Sequence, residues 1–198
     1  MKIKDMIGHI LHFSRGSSVK KQLLDVSEVF DDAWKLTRMI VPSSFKVEVD
    51  IQESCGAVLA NSVQLSQILL NLVSNAVDAH DGSTGEIEVD LSRARGKSDK
   101  QPLYYRLSDR EYAILRVTDA GTGIAPDVLR QIFDPFFTTK DVGQGTGLGL
   151  SEVAGIMRDV GGAIDIESTL GKGTSFLLYF PLEDNPEQTD DLATDVAP

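Results

Sequence analysis

The glycine spacing between positions 143 and 149 narrows what this chain can fold into more than any other feature. Four glycines alternate there with other residues, directly before a pattern typical of a helix: Gly143, Gly145, Gly147 and Gly149. Because glycine has no Cβ, the backbone N–H groups of such a loop can all approach one ligand. A helix start behind the loop adds a partial positive charge. The combination is typical of a phosphate-binding loop.

Neither of two familiar phosphate-binding motifs fits this segment. A Walker A loop has lysine after its last glycine, but Leu150 and Ser151 follow Gly149. A Rossmann fingerprint needs Gly-x-Gly-x-x-Gly directly after a strand. Here the third glycine position falls on leucine, and residues 139–142 do not read as a strand. A different kind of nucleotide site and a plain flexible loop remain as alternatives.

Four other segments accompany this loop in a set order along the chain. They are Asn71-Leu-Val-Ser-Asn75, Asp119-Ala-Gly121-Thr-Gly123, Phe133-Asp-Pro-Phe136-Phe137 and Gly171-Lys-Gly173-Thr174. Together the five segments resemble the catalytic, ATP-binding domain of sensor histidine kinases. That domain belongs to a superfamily which also holds gyrase, heat-shock chaperone and mismatch-repair ATPases. The resemblance covers residues 24–182 and implies a Bergerat-type ATP-binding fold.

Charge and composition restrict the classes of partner that this chain can bind and the compartment in which it is expected. The formal net charge is −11, which argues against nucleic acid, because phosphate backbones select basic surfaces. It does not argue against ATP, which needs only a local pocket. One cysteine, Cys55, excludes an internal disulfide and fits a reducing compartment. No apolar run approaches the ~20 residues of a membrane span. We therefore expect a cytoplasmic domain, whether or not the full-length protein is attached to a membrane.

The pattern of apolar residues predicts an α/β (α+β) two-layer sandwich, with a mixed sheet of about five strands against three helices. The helices are expected after Ser27 and Ser62 as N-caps and over 148–160, with a short fourth helix over 126–132. Strands are expected over 24–26, 45–51, 57–60, 85–91, 111–118, 162–168 and 174–180.

Three regions are expected along the chain. Residues 1–19 resemble the end of a dimerisation-hairpin helix, 20–182 form the ATP-binding catalytic domain, and 183–198 are an acidic disordered tail or linker. His9 and His12 lack the acidic neighbour of an acceptor histidine, so the acceptor is expected outside this chain. The resemblance implies three protein partners: a dimerisation domain that carries the acceptor histidine, a response-regulator receiver domain, and a second copy in the full-length protein.

The resemblance assigns one set of residues to the base of ATP. The Asp119 carboxylate would accept the adenine amino N–H, whereas guanine presents a carbonyl there and would be repelled. The other members of this set are Ala79, Gly121, Gly123, Ile124 and Thr174.

A second set is assigned to the phosphates and to Mg²⁺. Asn71 and Asn75, four apart on one helix face, would reach Mg²⁺ and the phosphates through neutral oxygens, with Asn75 as the principal metal ligand. Many kinases have lysine or arginine three residues after the second asparagine, where this chain has Asp78. Either Lys140 contacts the γ-phosphate instead, or Asp78 orients a metal-bound water. A mobile lid over 138–146 is anchored by aromatic residues, and the remaining contacts are expected from Phe133, Gly145, Thr146, Gly147, Leu148, Gly149 and Leu150.

Three functions compete. The first is transfer of the ATP γ-phosphate to a histidine, with Asn71, Asn75 and Lys140 in the catalytic set. The second is a nucleotide-dependent switch without transfer activity. The third is an ATP-hydrolysing clamp, which Asn71 disfavours, because the hydrolysing members have a glutamate at that position as general base.

Overall fold

The computed structural model describes residues 20–80, 84–96, 102–140 and 145–183. Within these ranges it contains seven strands and three α-helices. The strands are β1 (Gln22–Asp25), β2 (Lys46–Ile51), β3 (Ala57–Ala60), β4 (Glu86–Arg95), β5 (Glu111–Asp119), β6 (Ala163–Thr169) and β7 (Gly173–Pro181). The helices are α1 (Val26–Thr37), α2 (Ser62–Asp78) and α3 (Gly149–Asp159), and a 3₁₀ helix (Arg38–Ile40) extends α1.

Five strands form one mixed sheet in the order β2-β4-β5-β7-β6. Strands β2 and β4 are parallel, and the other neighbours are antiparallel. A parallel pair needs a long crossover connection, which here contains β3 and α2. The short strands β1 and β3 pair separately. The predicted mixed sheet of about five strands against three helices is confirmed.

The main hydrophobic core lies between the sheet and the helices. Successive residues of a strand point to opposite faces. In β5, Ala113, Leu115 and Val117 therefore join the main core, while Tyr112 and Ile114 pack in a smaller cluster with residues of β6 and β7. Strand β5 therefore contributes to hydrophobic clusters on both faces of the sheet, which hold its end in place.

Both predicted N-caps are wrong by one or two residues. Helix α1 is capped by Asp25, whose Oδ1 accepts a hydrogen bond from the Ser27 N–H at 2.8 Å. The Ser27 hydroxyl instead donates to the Gln52 carbonyl, a tertiary contact that local spacing does not predict. Helix α2 is capped by Asn61, which directly precedes the expected Ser62. The Asn61 side chain accepts hydrogen bonds from the Val63 and Gln64 N–H groups.

No helix forms over the predicted range 126–132. The backbone hydrogen bonds there span three residues, as in Val128 N–H to the Ala125 carbonyl and Gln131 N–H to the Val128 carbonyl. An α-helix needs bonds that span four residues, and so short a segment cannot offset the cost of helix nucleation. The segment is a series of tight turns.

Strand β4 is longer than predicted, because it pairs with β5 as far as Arg95 opposite Glu111. Several other expectations concern residues outside the described ranges. These are the helix end at 1–19, the centre of the β4–β5 connection at 97–101, the middle of the lid at 141–144 and the tail at 184–198. Among the described residues, no helix is long and apolar enough to cross a membrane.

Candidate nucleotide site

Strand β5 ends in a buried carboxylate. Asp119 is 7% exposed, and its Oδ1 accepts a hydrogen bond from the Gly121 N–H at 2.8 Å. Its pairing partner in β7 is Thr174, which is 5% exposed. The two side chains assigned to the adenine end therefore lie at adjacent positions of neighbouring strands.

Burial raises the pKa of Asp119 above its ordinary value, because water is excluded from the ionised form. The Gly121 N–H, the nearby His80 and the Thr174 N–H act in the opposite direction. The ionised carboxylate is thus incompletely solvated by the protein alone. A ligand that donates a hydrogen bond to it would supply part of what is missing.

The turn after Asp119 packs tightly against the end of α2. A Cβ at Gly121 would lie 2.6 Å from the Ala79 carbonyl oxygen, and the Thr122 N–H donates to that same oxygen at 3.0 Å. Gly123 has φ +68°, and a Cβ there would lie 2.2 Å from the Thr169 carbonyl oxygen. Only glycine fits between α2 on one side and the β6–β7 hairpin on the other.

Ser168 is a structural member of the site that the sequence did not identify. Its hydroxyl accepts from the Ile124 N–H at 2.8 Å, donates to the Gly173 carbonyl and lies 3.0 Å from the Thr174 hydroxyl. One hydroxyl therefore ties the glycine turn to the β6–β7 hairpin. No local pattern marks this serine, because its partners come from two other segments.

A cavity of about 470 Å³ opens beside Asp119. Residues of β5, β6 and β7 line it, together with Leu129 of the turn segment and Lys172 of the β6–β7 turn. Neither Asn71 nor Asn75 is among the described residues that line it. That Asn71 and Asp119 face one cavity, as an ATP site that contains both residues requires, stays a prediction.

Asn71 lies where α2 meets the first turn of α3. Its Nδ2 donates to the Gly149 carbonyl at 3.1 Å and to Glu152 Oε2 at 3.3 Å. Its Oδ1 accepts from Gln67 Nε2 at 3.1 Å. These bonds fix the orientation of the amide.

Glu152 was also missed by the sequence reasoning, because its contact with α2 spans 81 positions of the chain. It places a carboxylate beside Asn71, so a carboxyl group does lie close to the position that is a glutamate in the hydrolysing members. The absence of a base at position 71 alone is therefore a weaker reason against hydrolysis than the sequence suggested.

The donor set suits Mg²⁺ better than a metal held entirely by protein. Among the described residues there is no group of three or more His, Cys, Asp or Glu side chains that could hold a metal ion. Asn75, half-buried one turn beyond Asn71, offers a neutral oxygen. Mg²⁺ takes most of its ligands from water and phosphate oxygens and needs only one or two from protein. The residues present fit that pattern.

The two ends of the lid meet at a narrow neck. The Phe136 N–H donates to the Gly147 carbonyl at 2.9 Å. Gly147 has φ +66°, and a Cβ there would lie 2.4 Å from the Phe136 carbonyl carbon. Phe133 is buried with its ring 4.4 Å from that of Tyr104, and Phe137 packs on the main core, whereas Phe136 is 71% exposed. Two of the three aromatic residues therefore anchor the neck.

The glycine-rich segment leads from this neck into α3. Thr146 Oγ1 accepts from the Leu148 N–H at 3.3 Å, and Leu148 is buried. Gly149 is the first residue of α3, and Leu150 packs against the main core. A Cβ at Gly145 would lie 2.9 Å from Thr138 Oγ1. Phosphate contacts from this segment stay a prediction.

Asp78 and Lys140 form an ion pair. Lys140 Nζ lies 2.5 Å from Asp78 Oδ2, and the two side chains are 35% and 47% exposed, respectively. The pair joins the end of α2 to the neck of the lid. Both residues were expected at the phosphates, but a direct bond between them was not foreseen.

Comparison with known proteins identifies the group to which this site belongs. The family described as Histidine kinase-, DNA gyrase B-, and HSP90-like ATPase matches residues 60–184. The sensor kinase CckA of Brucella abortus is 38% identical over 187 residues, which is 94% of this chain and 20% of CckA. The sensor histidine kinase ZraS of Salmonella typhimurium is 31% identical over 182 residues, 91% of this chain and 36% of ZraS.

A solved structure agrees with these relatives. The mycobacterial sensor histidine kinase MprB is 26% identical with a TM-score of 0.62, and the match covers 81% of this chain and 97% of that one. This chain spans only about a fifth to a third of the length of CckA and ZraS. The family match covers more than half of the chain. The chain therefore belongs to the histidine kinase-, DNA gyrase B- and HSP90-like ATPase family, as an ATP-binding domain of the kind found in sensor histidine kinases.

Proposed function

We propose that this domain binds Mg²⁺–ATP and transfers the γ-phosphate to a histidine on a separate helical hairpin. The observation that carries the proposal is the contact between Asn71 and the first turn of α3. It brings the asparagine face of α2 next to the first turn of α3, directly behind the glycine-rich segment. The relatives, named as sensor kinases and covering nearly the whole chain, support the same reaction.

The adenine end lies at the turn after β5. Asp119 accepts the amino N–H of adenine and repels the carbonyl of guanine. The backbone of Gly121 and Gly123 passes close to the base, while Ala79 and Ile124 provide apolar contacts. Thr174 supports the base from β7, directly or through a water molecule.

The phosphate end lies between α2 and α3. Asn75 and Asn71 hold Mg²⁺ through neutral oxygens, and the ion neutralises charge on the phosphate oxygens when it is bound. Backbone N–H groups from Gly145 to Leu150 bind the phosphates, helped by the N-terminus of α3. Lys140 contacts the γ-phosphate. The domain contributes position and charge stabilisation, while the attacking nitrogen is the imidazole of the partner.

We assign the catalytic domain to residues 20–182, with 1–19 as the end of a dimerisation helix and 183–198 as a linker. The full-length protein would then be a dimer in which the hairpin presents the acceptor histidine and a receiver domain takes the phosphate next. The reaction takes place in the cytoplasm, where ATP is available.

A reconstitution assay tests the proposal. The chain is mixed with γ-labelled ATP, Mg²⁺ and a separately produced dimeric hairpin that carries a histidine. We expect acid-labile, base-stable label on the hairpin, loss of label with Asn75→Ala, and normal labelling with the exposed control Gln22→Ala. Label on the chain itself, at His9 or His12, would place the acceptor within this chain. Release of inorganic phosphate without labelling of the hairpin would favour a hydrolase.

A further inference from the structure

The ion pair between Asp78 and Lys140 holds the lid lysine at a defined place. The Lys140 N–H donates to Thr138 Oγ1 at 3.2 Å, and a Cβ on Gly145 would lie 3.2 Å from Lys140 Cδ. The lysine stem thus lies beside Gly145 on the other side of the lid neck, and its ammonium group reaches the end of α2.

Asp78 lies between the two ends of the candidate site. It follows Asn75 by three positions and directly precedes Ala79. The Ala79 carbonyl oxygen accepts a hydrogen bond from the Thr122 N–H of the glycine turn at 3.0 Å. Asn71, Asn75 and Asp78 lie on one face of α2, so in the proposed site a triphosphate that runs from the Asp119 turn to Asn71 would pass this position. The carboxylate of Asp78 and the triphosphate are both negatively charged and would repel each other. Lys140, which Asp78 binds, is positively charged and would attract the triphosphate.

We propose that Asp78 is a specificity-determining residue, because it binds Lys140 as an internal counter-ion that the γ-phosphate of ATP must displace. The inference rests on the proposed ATP site. A γ-phosphate offers Lys140 more negative charge than one carboxylate does, whereas ADP lacks that group and leaves the ion pair in place. Asp78 would thereby lower the affinity for ATP relative to ADP.

Removal of the carboxylate has two effects, and both have the same sign. It frees Lys140 for the γ-phosphate, and it removes a like charge near the phosphates. Since both side chains are between a third and a half exposed, solvent screens the interaction, and we expect a change in affinity of about threefold to tenfold. A residue that merely positioned Lys140 for the phosphate would give a change in the opposite direction.

Calorimetry with Mg²⁺–ATP and Mg²⁺–ADP on the 198-residue chain tests this inference. Asp78→Asn should tighten ATP binding by about threefold to tenfold and change ADP binding by less than about twofold. Lys140→Met should weaken ATP binding. In the Lys140→Met background, Asp78→Asn should change the ratio of ATP to ADP affinity less than it does in the parent background. The control is Asp31→Asn, which breaks an exposed ion pair with Lys35 on α1.

The outcomes separate this inference from the proposed function. If the parent binds neither nucleotide, the ATP site itself is wrong. If the parent binds ATP but Asp78→Asn weakens binding, or leaves the ratio of ATP to ADP affinity unchanged, the counter-ion role is overturned and the ATP site stands.

Hydrogen exchange of the nucleotide-free chain provides a readout that does not depend on binding. Amides from Phe137 to Lys140 should exchange faster in Asp78→Asn and in Lys140→Met than in the parent. In Asp31→Asn their exchange should be the same as in the parent. Exchange as slow as in the parent would mean that the ion pair does not hold the lid neck, which contradicts the inference.

Discussion

Asp119 is buried at a position where an ionised carboxylate costs stability. The protein gives it the N–H of Gly121 as a hydrogen-bond donor, but burial outweighs this bond and raises the pKa of the carboxyl group. A residue that served only the fold would not have to be acidic here. The cost is understandable if the free acceptor capacity of the carboxylate serves a ligand.

Asp119→Asn should therefore stabilise the nucleotide-free domain, and the gain should depend on pH. Because burial raises the folded-state pKa of Asp119 above its ordinary value, the folded state binds the proton more tightly than the unfolded state. The parent loses the stabilisation that comes from protonated Asp119 as pH rises through the folded-state pKa. The difference in unfolding free energy between Asp119→Asn and the parent should be smallest below about pH 4 and grow towards neutral pH.

Urea denaturation at several pH values measures this difference, with the exposed Asp127→Asn as the control. A gain that is the same at every pH would contradict the ionisation argument. In the same variant, ATP binding should weaken by roughly 1.5–3 kcal/mol through loss of a charged acceptor. Equal affinity of the parent for ATP and GTP would count against the role of Asp119 in base selection.

We expect Glu152 to act on the candidate site through Asn71. Its carboxylate accepts a hydrogen bond from Asn71 Nδ2 at 3.3 Å, which helps to fix the orientation of the Asn71 amide. Glu152→Ala should weaken Mg²⁺–ATP binding by about 0.5–1.5 kcal/mol. Glu152→Gln should lose less than half as much, because its amide oxygen can still accept the bond. Calorimetry on both variants checks this, and equal losses would show that the charge matters rather than the hydrogen bond.

Among the elements, the β6–β7 hairpin constrains the adenine end most closely. Gly173 has φ +110°, and a Cβ there would lie 1.9 Å from the Asp119 carbonyl oxygen. The hairpin can therefore approach the end of β5 only if this position has no side chain. Its pairing with β5 also sets Thr174 opposite Asp119.

Gly173→Ala should destabilise the domain by more than about 2 kcal/mol, because it combines backbone strain with a steric clash. Two other glycines separate these causes. Gly171 has φ +76° but open space around it, so Gly171→Ala should cost only about 1 kcal/mol. Gly155 in α3 has no neighbour within 4 Å, and Gly155→Ala should stabilise by up to about 1 kcal/mol. Thermal denaturation of the three variants orders them, and similar losses at positions 171 and 173 would rule out the clash.

At the scale of the whole molecule, the candidate site is assembled from elements that are distant in sequence. Helix α2 supplies Asn71 and Asp78, the end of β5 supplies Asp119, and α3 supplies Glu152. The sheet order places β5 at the centre, between β4 and β7, so its end cannot shift without disturbing two neighbours. This central position explains why the acidic residue of the turn lies at the end of β5 rather than on an edge strand.

The sequence predicted the main elements because their apolar periodicities are long and regular. The strand and helix order and the mixed sheet follow from such patterns, whereas the family was inferred from the resemblance of the five motif segments. The N-caps Asp25 and Asn61 were missed because several capping residues adjoin each helix start. The expected helix over 126–132 was wrong because local propensity cannot decide whether so short a segment reaches the four-residue hydrogen bonds of an α-helix.

The sequence by itself determined which backbone positions are candidates for contact with a ligand, since glycine spacing and strand ends are local properties of the chain. Only the tertiary structure decided which side chains meet. The bonds of Ser168 to the glycine turn, of Glu152 to Asn71 and of Lys140 to Asp78 span 44, 81 and 62 positions. Such contacts depend on how the helices and strands pack against each other, and local residue type and spacing do not show which distant side chains that packing brings together.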